Sequence, residues 1–183
     1  MIRLALWLLG GMLLGGVVHL GSILVLPRTA SQDAYSRLAP ITPVNAAAAL
    51  PVPSPDQAIL PFMDPAFAVA VCRYDLTDAP LKLSTPVGQA YTSVSFYTRH
   101  GVAYYAINDR AAGRRVIELD LMTADQRREL PDDEEVTAAD RLIVESPTLT
   151  GLVVLRALSP EPSSMPVARG VLAAARCVPN PPT

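Results

Sequence analysis

A chain of 183 residues with 15 basic and 17 acidic side chains carries a net charge of −2, and only 17% of its residues are charged. That balance lacks the basic face a nucleic-acid binder needs, so no nucleic-acid partner is expected. Half of the residues are hydrophobic, a fraction raised by one apolar run at the amino terminus.

That run extends from Leu4 to Leu26, LALWLLGGMLLGGVVHLGSILVL, and holds no Asp, Glu, Lys or Arg and one ionisable side chain, His19. As a helix it would rise about 35 Å, enough to cross a hydrocarbon core of about 30 Å with some tilt. The competing reading is a cleaved signal peptide with Arg3 as its charged start. The run exceeds the apolar length of about 7–15 residues usual in such peptides, and cleavage after Ala30 would put Arg28 where a small residue is required. Residues 1–27 therefore read as a single transmembrane anchor, with the lipid bilayer as the first expected partner.

Gly11, Gly15 and Ser22 share one face of that helix, and His19 follows Gly15 by four residues. Small residues let a second helix approach closely, and a polar ring in hydrocarbon is better satisfied by a neighbour than by lipid. The face predicts helix association, with a copy of this chain or with a separate partner protein. Glycine is also common in membrane helices without such a role.

Residues 28–65 read as a juxtamembrane helix and a Pro/Ala-rich linker. Ser31 is a candidate N-cap for a short helix to Leu38, with Asp33 in its first turn. Pro40, Pro43, Pro51, Pro53, Pro55, Pro61 and Pro65 follow within 26 residues. Each lacks a backbone donor and has a fixed φ, which predicts a semi-rigid extended spacer.

From about Phe67 the pattern changes to short runs rich in Val, Ile, Tyr and Thr. Strands are expected at Ala68–Cys72, Leu81–Thr85, Ser93–Thr98, Val102–Ile107, Val116–Leu121, Leu142–Glu145 and Leu152–Leu158. Arg99-His100-Gly101 predicts a tight hairpin turn with glycine left-handed, and Asn108 to Gly113 a longer hairpin loop. Thr123 and Gln126 form a capping-box pattern for a helix ended by Pro131. Ser163 or Ser164 would cap a last helix from Met165 to Cys177, with Pro166 in its first turn and Val167, Val171, Leu172 and Ala175 facing the core. Residues 66–183 are thus expected to form one α+β domain, a mainly antiparallel sheet with two or three short helices on one side.

Cys72 and Cys177 both fall outside the apolar run. A pair in a water-facing domain suits a disulfide-permissive compartment, and the bond would pin the last helix to the strand carrying Cys72. Two unpaired buried thiols are the alternative.

Little else in the chain carries chemistry. The water-facing part has one histidine, His100, in a predicted turn, and no serine sits in a GxSxG elbow. Histidine and cysteine do not cluster, so no metal site is expected. The acidic run Asp132 to Glu135 lacks EF-hand spacing and reads as a solvated loop. No glycine-rich loop follows a strand, and no cofactor is expected. Asp and Glu are abundant enough for a paired-carboxylate site that spacing cannot locate, so catalytic residues stay unassigned. Tyr91, Tyr97, Tyr104 and Tyr105 lie on or beside adjacent strands and either line a ligand pocket or simply fill the core.

From Asp64 onward the chain resembles the bacterial family of unknown function numbered 1254. The match rests on Tyr74-Asp75-Leu76, Pro80, the strand Leu81–Leu83, Pro86 and then Tyr91-Thr92-Ser93, and small anchored members also resemble the stretch GGVVHLGSILVLPR. The resemblance implies a bacterial exported protein whose module occurs beside a second one, fused or encoded separately, and it carries over no catalytic residues. With the anchor and the cysteine pair it predicts a single-pass inner-membrane protein with a periplasmic carboxy-terminal domain. That domain is expected to act by binding a partner protein or small ligand. A cell-envelope enzyme with a carboxylate site and an accessory subunit of a membrane complex are the alternatives.

Overall fold

The computed structural model of the protein describes residues 2–29, 33–54, 59–113, 115–130 and 142–180. Ser31, Pro131 and the acidic run at 132–135 lie outside the described residues. The chain forms two compact units, Met1–Asp33 and Ala34–Thr183.

The first unit is one helix, α1 (Ile2–Thr29). Its stretch Ile2–Leu26 is long and apolar enough to cross a membrane, a test that a signal sequence also passes. The second unit is α+β. It contains α2 (Ala34–Leu38), β1 (Ala47–Ala49), β2 (Phe67–Asp75), β3 (Leu81–Pro86), β4 (Thr92–Thr98) and β5 (Ala103–Asn108). These are followed by α3 (Asp109–Ala112), β6 (Val116–Thr123), α4 (Ala124–Arg128), β7 (Leu142–Ser146), β8 (Thr150–Leu158), α5 (Met165–Ala173) and β9 (Arg176–Pro179). All seven expected strands form.

The strands make two sheets, one in the order β1-β2-β8-β4-β5 and one in the order β7-β6-β3-β9. Every pairing is antiparallel except β6 with β7. The alternation expected of half-buried strands is plain in β3, where Leu81, Leu83 and Thr85 are buried while Lys82 is exposed. The main core lies between the sheets: Ala70, Cys72 and Tyr74 of β2 and Val153 and Leu155 of β8 join Leu81, Leu83, Ile117, Leu119 and Leu121 of the other sheet. Burying these side chains supplies the chief drive to fold, about 1.5–3 kcal/mol for each large aliphatic one.

The central strands of the first sheet are covered on both faces. Val71 and Leu152 point away from the main core into a second cluster with Tyr35, Leu38 and Leu50. The Pro/Ala-rich segment is therefore not an extended spacer throughout. Leu38 and Thr42 are fully buried and Leu50 nearly so, and Ala47–Ala49 pairs with β2 from Cys72 back to Ala70. Asn45 makes that junction. Its backbone is left-handed at φ 56, a conformation asparagine tolerates better than most residues. Its side chain donates to the Asp75 carbonyl at 2.9 Å and accepts from the Asp75 amide at 2.8 Å. The free edge of β2 attracts a chain that proline alone would have left extended.

Three further local expectations change. Residues 108–113 do not form a hairpin loop, because β5 and β6 belong to different sheets. They form α3 instead, in which Asn108 Oδ1 accepts the Ala111 amide at 2.9 Å and Gly113, at φ 60, donates to the Asp109 carbonyl. The last helix stops at Ala173, and Cys177 lies on β9, which pairs with β3. Its core face is Ala168 and Leu172, whereas Val167 is exposed. The helices are not confined to one side either: α2 joins the outer cluster and α5 the main core. The α4 capping box forms as expected, with both reciprocal bonds between Thr123 and Gln126.

Candidate functional site

Cys72 and Cys177 are bonded, with Cα atoms 6.5 Å apart and a sequence separation of 105. The disulfide fits an extracytoplasmic domain. Because Cys177 is on a strand, the bond joins an inner strand of one sheet, β2, to an edge strand of the other, β9, across the main core.

Beside it, the same core holds a chain of hydroxyl groups. Tyr104 donates to the Tyr74 hydroxyl at 3.1 Å, Tyr74 lies 3.0 Å from Ser146 Oγ, and Ser146 donates to the Thr148 carbonyl at 2.6 Å. The Tyr74 hydroxyl also lies 3.3 Å from the Tyr97 carbonyl. Each donor finds an acceptor, as buried polar groups must. Burial drives the Tyr104 phenol well above its ordinary range; the Ser146 hydrogen bond opposes this and the neighbouring Tyr74 adds to it. A phenol held neutral is a hydrogen-bond donor, not a base or nucleophile. The cluster ties β2, β5 and β7 together. It also explains Gly151, opposite Tyr74 in the sheet, where a Cβ would run into the Tyr74 hydroxyl and the Tyr97 carbonyl.

Tyr104 reaches this cluster because of a bulge. Phe96 pairs with Tyr105 and Tyr97 with Ala103, so the register skips Tyr104. The extra residue bends the strand and re-aims its side chain. Both rings then pack on Phe96, with centroids 6.1 and 5.9 Å away. Of the four tyrosines considered from sequence, Tyr104 and Tyr105 are thus core residues, Tyr97 joins the outer cluster, and Tyr91 is exposed. They line no common pocket. Tyr74, Ser146 and Gly151 escape sequence reasoning because they are far apart in the chain.

The outer side of β5 is a sheet edge. Among the described residues no strand pairs with it. Past the bulge, Tyr105, Ala106, Ile107 and Asn108 run in regular register with β4. None of these four is charged and none is proline, the two commonest guards of an edge. The other edges are shorter or guarded: β1 has three residues, β9 carries Arg176 and Pro179, and β7 carries Glu145.

His100 is exposed in the turn between β4 and β5, where Gly101 adopts φ 82 as expected. Among the described residues no three His, Cys, Asp or Glu side chains gather as metal ligands, and Asp120 is the one buried carboxylate, receiving the Asn180 side-chain amide at 3.4 Å. On α1, a Cβ at Gly11 or Gly15 would meet nothing within the chain. Ser22 bonds its own helix, donating to the Val18 carbonyl at 2.8 Å.

A family model described as "Protein of unknown function (DUF1254)" matches residues 44–179. No curated protein matches the chain. Among solved structures, the VPA0106 protein of Vibrio parahaemolyticus is similar in fold, at 14% identity and a TM-score of 0.56 over 77% of this chain and 33% of that one. An uncharacterised protein from Burkholderia cenocepacia aligns at 12% identity and a TM-score of 0.46, over 75% of this chain and 34% of that one. The chain spans about a third of the length of the solved structures it matches.

Proposed function

This chain belongs to the DUF1254 family, and from that premise we propose that it is a membrane-anchored binding module of the bacterial periplasm, which takes up an extended segment of a separate partner protein along β5. The observation that carries this reading is the uncharged, proline-free edge at residues 105–108. Such an edge presents unpaired amide and carbonyl groups that an added strand satisfies, with side-chain contacts providing selectivity. A periplasmic setting is supported by the apolar helix, read as an uncleaved inner-membrane anchor, together with the disulfide. Association of anchors through Gly11, Gly15, His19 and Ser22 would add to the same complex.

The test uses the full-length protein purified in mild detergent with whatever chain accompanies it. Backbone hydrogen exchange at residues 105–108 should slow when the partner is bound. Ala106→Lys places a charge on the exposed edge strand and should weaken binding at least about tenfold, as charges on edge strands discourage added pairing. Unchanged exchange, or an Ala106→Lys protein that binds normally, overturns the proposal. A homodimer that the substitution splits would identify a second copy as the occupant instead.

A further inference from the structure

Ser93, on β4, is enclosed at 7% exposure, yet among the described residues its hydroxyl makes no hydrogen bond. A buried polar side chain without a partner is uncommon and asks for an explanation. Its cross-strand neighbours supply one. Ser93 pairs with Arg156 of β8 on one side and with Asn108 of β5 on the other. Residues directly opposite in antiparallel strands share a face, with Cβ atoms about 4.5–5.5 Å apart. Arg156 follows Leu152 by four residues along β8, so the row lies on the outer face of the sheet, away from the main core.

Each member of the row offers a hydrogen-bond donor. Arg156 is partly buried and, among the described residues, forms neither an ion pair nor a hydrogen bond. Asp109, the nearest carboxylate in sequence to the row, accepts from the Thr92 amide at 3.5 Å instead. Asn108 has its Oδ1 committed to the Ala111 amide, which fixes the side chain and leaves Nδ2 to donate. The Ser93 hydroxyl is the third donor. In the adjacent row, Ser95 and Ala106 face each other across β4 and β5; both are too short to close over the donors, and Ala106 is exposed. Donors gathered round one unbalanced guanidinium have the chemistry of an oxyanion site.

We infer that Arg156, Ser93 and Asn108 form a binding site for a single carboxylate. One guanidinium balances one carboxylate, and its forked donors match the two oxygens. A phosphate group carries up to about two charges at neutral pH, more than this row neutralises. Two sources of the carboxylate fit the position: a small free acid, or an Asp or Glu side chain on a segment seated along β5, to which Asn108 belongs. The second source rests on the reading of β5 as a strand-addition edge; the site itself does not.

The test uses the full-length protein in a non-ionic detergent, with acetate as the probe and chloride at equal ionic strength as the reference. The Arg156 Nε–H resonance, identified by its loss in Arg156→Gln, should shift saturably with acetate and hold its place with chloride. Asn108→Asp keeps the acceptor that caps α3, since aspartate caps as well as asparagine, but it replaces the amide donor with a negative charge. It should weaken acetate binding at least about tenfold and leave the Tm unchanged. Retention of the co-purifying chain tells the two sources apart. If Arg156→Gln weakens retention, the carboxylate belongs to the partner; if it abolishes acetate binding and leaves retention intact, the ligand is a free acid. Either result supports the site. A shift that does not saturate, that chloride reproduces, or that survives Asn108→Asp overturns the inference. The strand reading fails separately: saturable acetate binding together with normal retention by Ala106→Lys means that β5 takes up no strand and the carboxylate site stands.

Discussion

Replacing Leu38 with alanine tests whether the segment after α1 belongs to the folded domain. Leu38 is fully buried among Tyr35, Leu50, Val71 and Leu152. Truncation removes three carbon groups, worth about 2.4 kcal/mol at about 0.8 kcal/mol each. A cavity cost adds to this, reduced where the surroundings can collapse. Because a helix of five residues covers the site, partial collapse is easy, and the expected total is about 3 kcal/mol, low in the Leu→Ala range. For a domain of this size each kcal/mol shifts the Tm by about 2–4 °C, so the variant should melt roughly 6–12 °C lower. Near-ultraviolet circular dichroism of the full chain in mild detergent suits the assay, since all six tyrosines lie in the second unit and α1 adds the single chromophore Trp7. Ile41→Ala, at a side chain that is 41% exposed, is the control and should cost under about 0.5 kcal/mol. A Leu38→Ala protein that melts with the wild type would mean that the segment is a spacer after all.

Three other outcomes follow from the same structure. Cys177→Ala should lower stability by about 2–5 kcal/mol, measured by urea unfolding, because the bond closes a long loop; equal midpoints with and without reductant in the wild type would contradict this. Tyr104 gives a pH dependence: its folded pKa is raised mainly by burial, while the unfolded chain releases the same proton near pH 10. Its contribution is therefore complete below about pH 10 and is lost as the pH climbs past that point, by up to about 1.4 kcal/mol per unit. Wild type should lose stability more steeply than Tyr104→Phe between about pH 10 and 11, and parallel curves in urea midpoint against pH would refute the assignment. Phe62 is exposed and left-handed at φ 59, so Phe62→Gly removes strain of about 1–2 kcal/mol and loses part of that gain to chain entropy. It should raise stability in detergent by up to about 1 kcal/mol; a fall of similar size would mean that the ring packs on its own domain.

Local signals were readable without the fold. The Thr123–Gln126 box forms because its two hydrogen bonds close within one turn. Gly101 ends the β4–β5 hairpin because its side-chain-free backbone alone satisfies the turn. The edge at residues 105–108 was visible as a strand but not as an edge, since neighbours in a sheet are set by pairing across the whole domain. The Tyr74–Ser146 contact joins residues 72 apart, and no local pattern relates them.

What the sequence determined by itself is whatever a side chain does to its own backbone and immediate neighbours: the apolar helix, the seven expected strands, and the caps and turns. Tertiary structure decided the rest. Ala47–Ala49 and Arg176–Pro179 are weak strand formers, yet both become strands because the open edges of β2 and β3 satisfy their backbone groups. Tyr104 turns inward because a bulge in β5 shifts the register by one residue. Cys177 bridges sheet to sheet because β9 was drawn to β3 rather than continuing α5. Each of these rests on hydrogen bonds or burial between segments distant in the chain, which form only once the partner segment is already in place.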